Sequence, residues 1–194
     1  MTTTPAPQTP PAGPPGFPKG KWSVDGTHSR IGFAVKHYGI NIFRGFFRKF
    51  QVDIDLDESA PEKSKLEARV EAVSFESGVP RMEEEVRSPS FLDVAKWPQI
   101  VFKSKRVEYL GERNYRVVGD LTIRDVTKEV PLQVILTDKI LDTRNNHRIG
   151  YTATTTINRM EFGTTWNEKL PSGTPMASHT VNLIFDGELV RPLD

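Results

Sequence analysis

Apolar residues recur at every second position, segment after segment, and this period of two confines the chain to a β-sheet architecture. Phe50, Val52, Ile54 and Leu56 alternate with Gln51, Asp53 and Asp55. Leu66, Ala68, Val70 and Ala72 alternate with Lys65, Glu67, Arg69 and Glu71, the pattern of a half-buried antiparallel sheet. Ile31, Phe33 and Val35 do the same against Gly32, Ala34 and Lys36. Further strands are predicted over 99–107, 115–123, 130–139, 149–157 and 179–190. In the last of these Val181, Leu183, Phe185 and Leu189 share a face, with Asn182, Asp186 and Glu188 opposite, although Ile184 falls on the polar side. One segment breaks the period. Over 80–95, Pro80 suits a first helical turn, Glu83, Glu84 and Glu85 suit a helix N-terminus, and Pro89 interrupts. Eight strands with one short helical insertion predict an all-β fold, either an up-and-down barrel or a sandwich. A barrel of that size is filled by side chains or holds one small ligand.

The first residues follow a different rule. Seven of the 15 prolines lie between Pro5 and Pro18, alongside Thr2 to Thr4, Gly13 and Gly16. Such a segment buries too little apolar surface to order itself, which predicts a disordered Pro-rich tail over 1–20 and a single domain over 21–194. The tail reads as a solvated linker, with recruitment of a proline-recognising partner as the alternative. Lys19 and Lys21 follow it without any apolar stretch between them and Met1, so no signal peptide is read and a cytoplasmic location is expected. No apolar run is long enough for a membrane-spanning helix. Lys and Arg number 26 against 25 Asp and Glu, a formal charge of +1, so a nucleic-acid partner is not expected. There is no cysteine, which excludes disulfides, thiol catalysis and cysteine-based zinc sites.

No phosphate-binding glycine loop, nucleophile elbow or zinc-protease motif occurs. The histidines are His28, His37, His147 and His179. An odd separation of nine turns His28 and His37 to opposite faces of a regular strand, so no metal site is expected. Ser29 follows His28, but adjacent strand residues face apart and form no nucleophile–base dyad. The 25–29 stretch reads instead as a strand-entry turn held by side-chain-to-backbone hydrogen bonds. Aromatic residues are spread over the strands and the insertion: Phe33, Phe43, Phe46, Phe47, Phe50, Phe91, Trp97, Phe102, Phe162 and Trp166. In a barrel they are core or pocket lining, since both share the inner surface.

Several motifs in order carry a resemblance. Trp22 to His37 reads W-S-V-D-G-T-H-S-R-I-G-F-A-V-K-H, and Gly45–Phe47 follows as a glycine–aromatic turn. Arg87 to Ser104 reads R-S-P-S-F-L-D-V-A-K-W-P-Q-I-V-F-K-S, and G-D-L-T-I-R-D-V-T-K (119–128) and I-N-R-M-E-F-G (157–163) complete the set. Together they resemble the YceI-like family of lipid-binding proteins from Trp22 to Val190, with Asp125 where a glycine is usual and Glu84 where Asp is expected. The resemblance implies an eight-stranded antiparallel lipocalin-like barrel with a short helical insertion. Its implied ligand is a long isoprenoid, quinone-type or similar lipid in an apolar tunnel, carried or stored without catalysis and without a further cofactor. The residues proposed to line the tunnel or meet the headgroup are His28, Phe33, Phe47, Arg87, Phe91, Trp97, Phe102, Asn158, Arg159, Phe162 and Trp166. Two other readings stay open: an enzyme acting on such a lipid with His28 or His37 as general base, and an interaction module around a solid barrel. A homodimer is left open as well.

Overall fold

A computed structural model of the chain describes residues 20–57 and 59–193; of the tail expected over 1–20, residues 1–19 lie outside them, while Gly20 opens the first strand. The elements run β1 (Gly20–Val24), β2 (Arg30–His37), β3 (Asn41–Phe47), β4 (Phe50–Leu56), β5 (Lys65–Glu71), β6 (Phe75–Glu76), α1 (Pro80–Arg87), β7 (Gln99–Gly111), β8 (Asn114–Ile123), β9 (Val126–Leu136), β10 (Ile140–Leu141), β11 (Asn146–Asn158) and β12 (Ala177–Pro192). Eight of the strands close a ring in the order β11–β9–β8–β7–β5–β4–β1–β12, sealed by β11 against β12. The result is the expected closed antiparallel eight-stranded barrel. Closure removes the free edges that an open sheet would expose.

The seam strand explains how the ring is completed. β12 pairs with β11 from Asn146↔Pro192 to Asn158↔Thr180. Its other edge meets β2 from Ala177 to Asp186 and then β1 at Leu189 and Val190. β1 and β2 are therefore two halves of one wall, broken by the 25–29 turn. That turn forms as expected: the Asp25 carboxylate accepts the Thr27 N–H at 2.9 Å, and the Asp25 carbonyl accepts the His28 N–H at 3.2 Å. β3 and β6 continue outward from β2 as a short branch beneath α1.

Two local expectations change. Gly45–Phe47 is not a turn but the end of β3, pairing with Ile31 to Phe33. A side chain at Gly45 would run into the Phe75 ring, so the glycine marks a close approach within a strand. The helix stops at Arg87 instead of continuing to 95, and Ser88 and Pro89 begin a series of turns that includes left-handed Asp93. Val79 lacks a capping side chain. The Glu83 carboxylate fills that role nearby by accepting the Ser77 and Gly78 N–H groups at 2.8 and 2.9 Å, which holds its carboxyl below the usual range. Asp125 proves compatible with its turn because the residue needing positive φ there is Arg124, at 58°.

Candidate ligand-binding site

The barrel interior is not filled. Two apolar cavities, of about 160 and 120 Å³, lie inside it. They share four lining residues, Ile31, Ala68, Phe102 and Phe185, which form the partition between them. The cavity-lining residues of β5 and β12 fall on one side or on the partition. Along β5, Leu66 faces the second cavity, Ala68 the partition and Val70 the first. Along β12, Val181 and Leu183 face the first cavity, Phe185 the partition and Leu189 the second. The two cavities therefore lie in series along the barrel. From Val181 to Leu189 the strand advances about 26 Å at roughly 3.3 Å per residue.

The first cavity is roofed by α1 through Met82, Glu85 and Val86, and by Phe91, Leu92 and the 3₁₀ turn Arg159–Phe162. Its few polar groups are His37, Glu85, Arg159 and Thr164. Arg159 is buried, 6 % exposed, and is satisfied by carbonyls: Nε donates to Ser178 at 2.9 Å, Nη1 to Thr164 and Trp166 at 2.8 and 2.7 Å, and Nη2 to Ala177 at 3.0 Å. Burial lowers its pKa, which for arginine leaves the charge in place. Ala177 pairs with His37 across β2, so the guanidinium and the imidazole belong to the same end of the cavity. The second cavity is apolar apart from Asp57, Ser64, Lys65, Tyr115 and Tyr151, and extends to the loop after β4. Burial raises the Tyr151 phenol, opposed by its hydrogen bond to Ser29.

Among the residues proposed from sequence, Phe33, Phe47, Phe91, Phe102, Arg159 and Phe162 line the first cavity, and Phe102 also lines the second. The other five are placed elsewhere. Arg87 ion-pairs with Glu83 at 3.7 Å and donates to the Phe75 carbonyl, a role that ties α1 to β6. Trp97 lies under the cations of Lys96 and Arg124, with 4.3 and 4.4 Å to its ring centre. Asn158 accepts the Met160 N–H at 3.1 Å and caps the 3₁₀ turn. Trp166 packs its ring 5.3 Å from Phe91 and gives its carbonyl to Arg159. His28 is absent from both linings and its side chain is 60 % exposed. Conversely, sequence reasoning did not single out Ile31, Ala68, Ile100, Leu183 or Phe185 as lining, because nothing in a period of two separates lining from core.

His28 has a carboxylate partner. Its Nδ1 lies 3.0 Å from Asp25 Oδ2. Asp25, His28 and Glu188 bring their ligand atoms within 4.8 Å of one another, a spacing that resembles a metal site. The cationic place is taken by the protein itself: Arg148 Nη1 reaches Asp25 at 2.7 Å and Glu188 at 2.6 Å, while its Nε reaches Asp142 at 2.7 Å. His28 and Arg148 hold the Asp25 carboxyl well below the usual carboxylate range, and Arg148 does the same for Asp142. Ser29, the neighbour that would serve as nucleophile, is buried and accepts the Glu188 N–H at 3.1 Å. The group therefore clasps the 25–29 turn to β11 and β12.

Among the described residues no helix is long and apolar enough to cross a membrane. The chain is 32 % identical over 143 residues to a UPF0312 protein of Pseudomonas putida (strain W619), covering 74 % of each. It is 30 % identical over 164 residues to a UPF0312 protein of Shewanella baltica, covering 84 % of this chain and 83 % of the relative. Among solved structures, Burkholderia cenocepacia BcnA superposes with a TM-score of 0.74 at 21 % identity, over 87 % of this chain and 99 % of that one. A polyisoprenoid binding domain from Saccharophagus degradans, implicated in plant cell wall breakdown, superposes at 0.60 with 13 % identity, over 88 % and 98 %. Residues 22–189 match the YceI-like domain model, and the chain belongs to the YceI-like family.

Proposed function

We propose that the protein binds a long-chain amphiphile of isoprenoid type along the barrel axis, as a carrier or store and without turning it over. The observation that carries this reading is the pair of apolar cavities in series. Empty apolar space leaves its lining without contact partners, and cavities of this size in other apolar cores take up benzene-sized guests. Two in series suit a guest that is long and narrow. Affinity would come from burial, at roughly 25 cal/mol per Å² before ordering costs. The buried Arg159, with His37 at the same end of the first cavity, supports placing the polar headgroup there and the chain beyond the partition. The structural likeness to a domain described as polyisoprenoid binding supports the ligand class. Catalysis gains little support from His28, whose carboxylate-paired ring lies outside both cavities.

Native mass spectrometry of the purified protein, with organic extraction of whatever is bound, tests the reading. Lipid recovered from the protein, or uptake of added prenyl lipid by extracted protein, is the expected result. Protein that is lipid-free and takes up no prenyl chain would refute it.

A further inference from the structure

Resting on that reading, we propose that Ala68 is a chain-length gate: it sets how much of a ligand can pass from the first cavity into the second. Of the four partition residues, three are large, and they stand in two cross-strand pairs. Ala68 pairs with Phe102 between β5 and β7, and Ile31 pairs with Phe185 between β2 and β12. In the ring β5 and β12 are separated by β4 and β1 on one side, and β7 and β12 by β8, β9 and β11 on the other. The pairs therefore face each other across the barrel. Three of the four positions carry bulky side chains, and the passage depends on the fourth being an alanine. Its neighbours on the same face of β5 are Leu66 and Val70, so the small residue stands at the partition and not beside it. Ala68 is 7 % exposed, so any added carbons must enter the interior.

The consequence is a ruler. A short chain is housed in the first cavity, and a long one must thread past Ala68. Ala153, which also faces inward at 7 % exposure, lines only the second cavity. It stands opposite Phe185 between β11 and β12, so filling it should narrow the second cavity just beyond the partition.

The test titrates full-length wild type, Ala68→Leu and Ala153→Phe with detergent-dispersed farnesol and solanesol, reading occupancy by native mass spectrometry after extraction of resident lipid. Thermal unfolding of each variant accompanies it. The expected result is a ratio of solanesol Kd to farnesol Kd that rises more than about tenfold in both variants, since several methylenes lose their burial. Should Ala68→Leu fail to fold, the smaller Ala68→Val carries the comparison, with a rise in the same ratio expected. Wild type that binds both lipids, with the ratio unchanged in the folded variants, would overturn the gate and leave the lipid-binding reading standing. Wild type that binds neither lipid would overturn both.

Discussion

Phe102→Ala distinguishes a partition from a packed core. Phe102 is 4 % exposed and borders both cavities, and its ring lies over Gly119, where a side chain would collide with it. Truncating a phenylalanine in a close-packed core costs about 3–5 kcal/mol, the loss of transfer energy together with the cavity left behind. Here open space already exists on two sides of the ring, so fewer contacts disappear. We expect about 2–3 kcal/mol in ligand-free protein, a fall in Tm of about 5–10 °C for a domain of this size. The remaining effect should appear in binding. If about 50 Å² of the ring faces the chain, its loss removes roughly 1.3 kcal/mol, close to tenfold in Kd. Thermal unfolding of extracted protein gives the first quantity, and native mass spectrometry of solanesol uptake gives the second. A cost above about 4 kcal/mol without ligand, with unaltered uptake by the folded fraction, would show that Phe102 is core and that no chain passes it.

Four shorter expectations accompany it. Asp25 and Asp142 titrate lower in the folded state than unfolded, so their stabilisation is full above the ordinary carboxylate range and is lost progressively as pH falls from that range towards their lower folded values; Arg148→Met should flatten the acid limb of Tm between about pH 2 and 5, and parallel limbs would contradict this. Gly45→Ala forces a methyl group against the Phe75 ring, which is 0 % exposed and stacks on Phe33 at 5.1 Å; it should cost about 1–3 kcal/mol by chemical denaturation, and a neutral result would mean the ring moves freely. If burial dominates, prenyl affinity should change less than about twofold between low and high salt, whereas a steep loss would assign the grip to the Arg159 charge. His28→Ala should leave lipid occupancy unaltered, and loss of occupancy would bring the Asp25–His28 pair into the site.

How far the sequence could be read depended on the face each residue presents. Strands β4 and β5 were legible because they alternate without interruption. β1 carries a single buried residue, Trp22, too little for a period to register. At β3 the family resemblance suggests a glycine–aromatic turn over Gly45–Phe47, yet the glycine is there for the Phe75 ring. β7 could not be phased along its whole length: a bulge between Ser104 and Arg106 shifts its inward set from Ile100 and Phe102 to Val107. Of the polar candidates, Arg159 faces the cavity, while His28, Arg87 and Asn158 hold turns and helix ends, a distinction made by strand register and not by residue type.

What separates a hollow barrel from a solid one is where small residues stand among large ones. In a close-packed interior an inward alanine is matched by a bulkier neighbour that fills its space. Ala68 has such a neighbour in Phe102, and Ala153 pairs with Phe185, yet cavities remain beside both pairs. The Phe102 ring is held over its own wall, against Gly119 on β8. An inward glycine thus leaves room for a large ring along the wall. The period of two fixes which residues face inward, but the open volume depends on pairings across strands far apart in sequence. Alternation alone is therefore silent on the cavity, while the register of β5 with β7 and of β11 with β12 accounts for it.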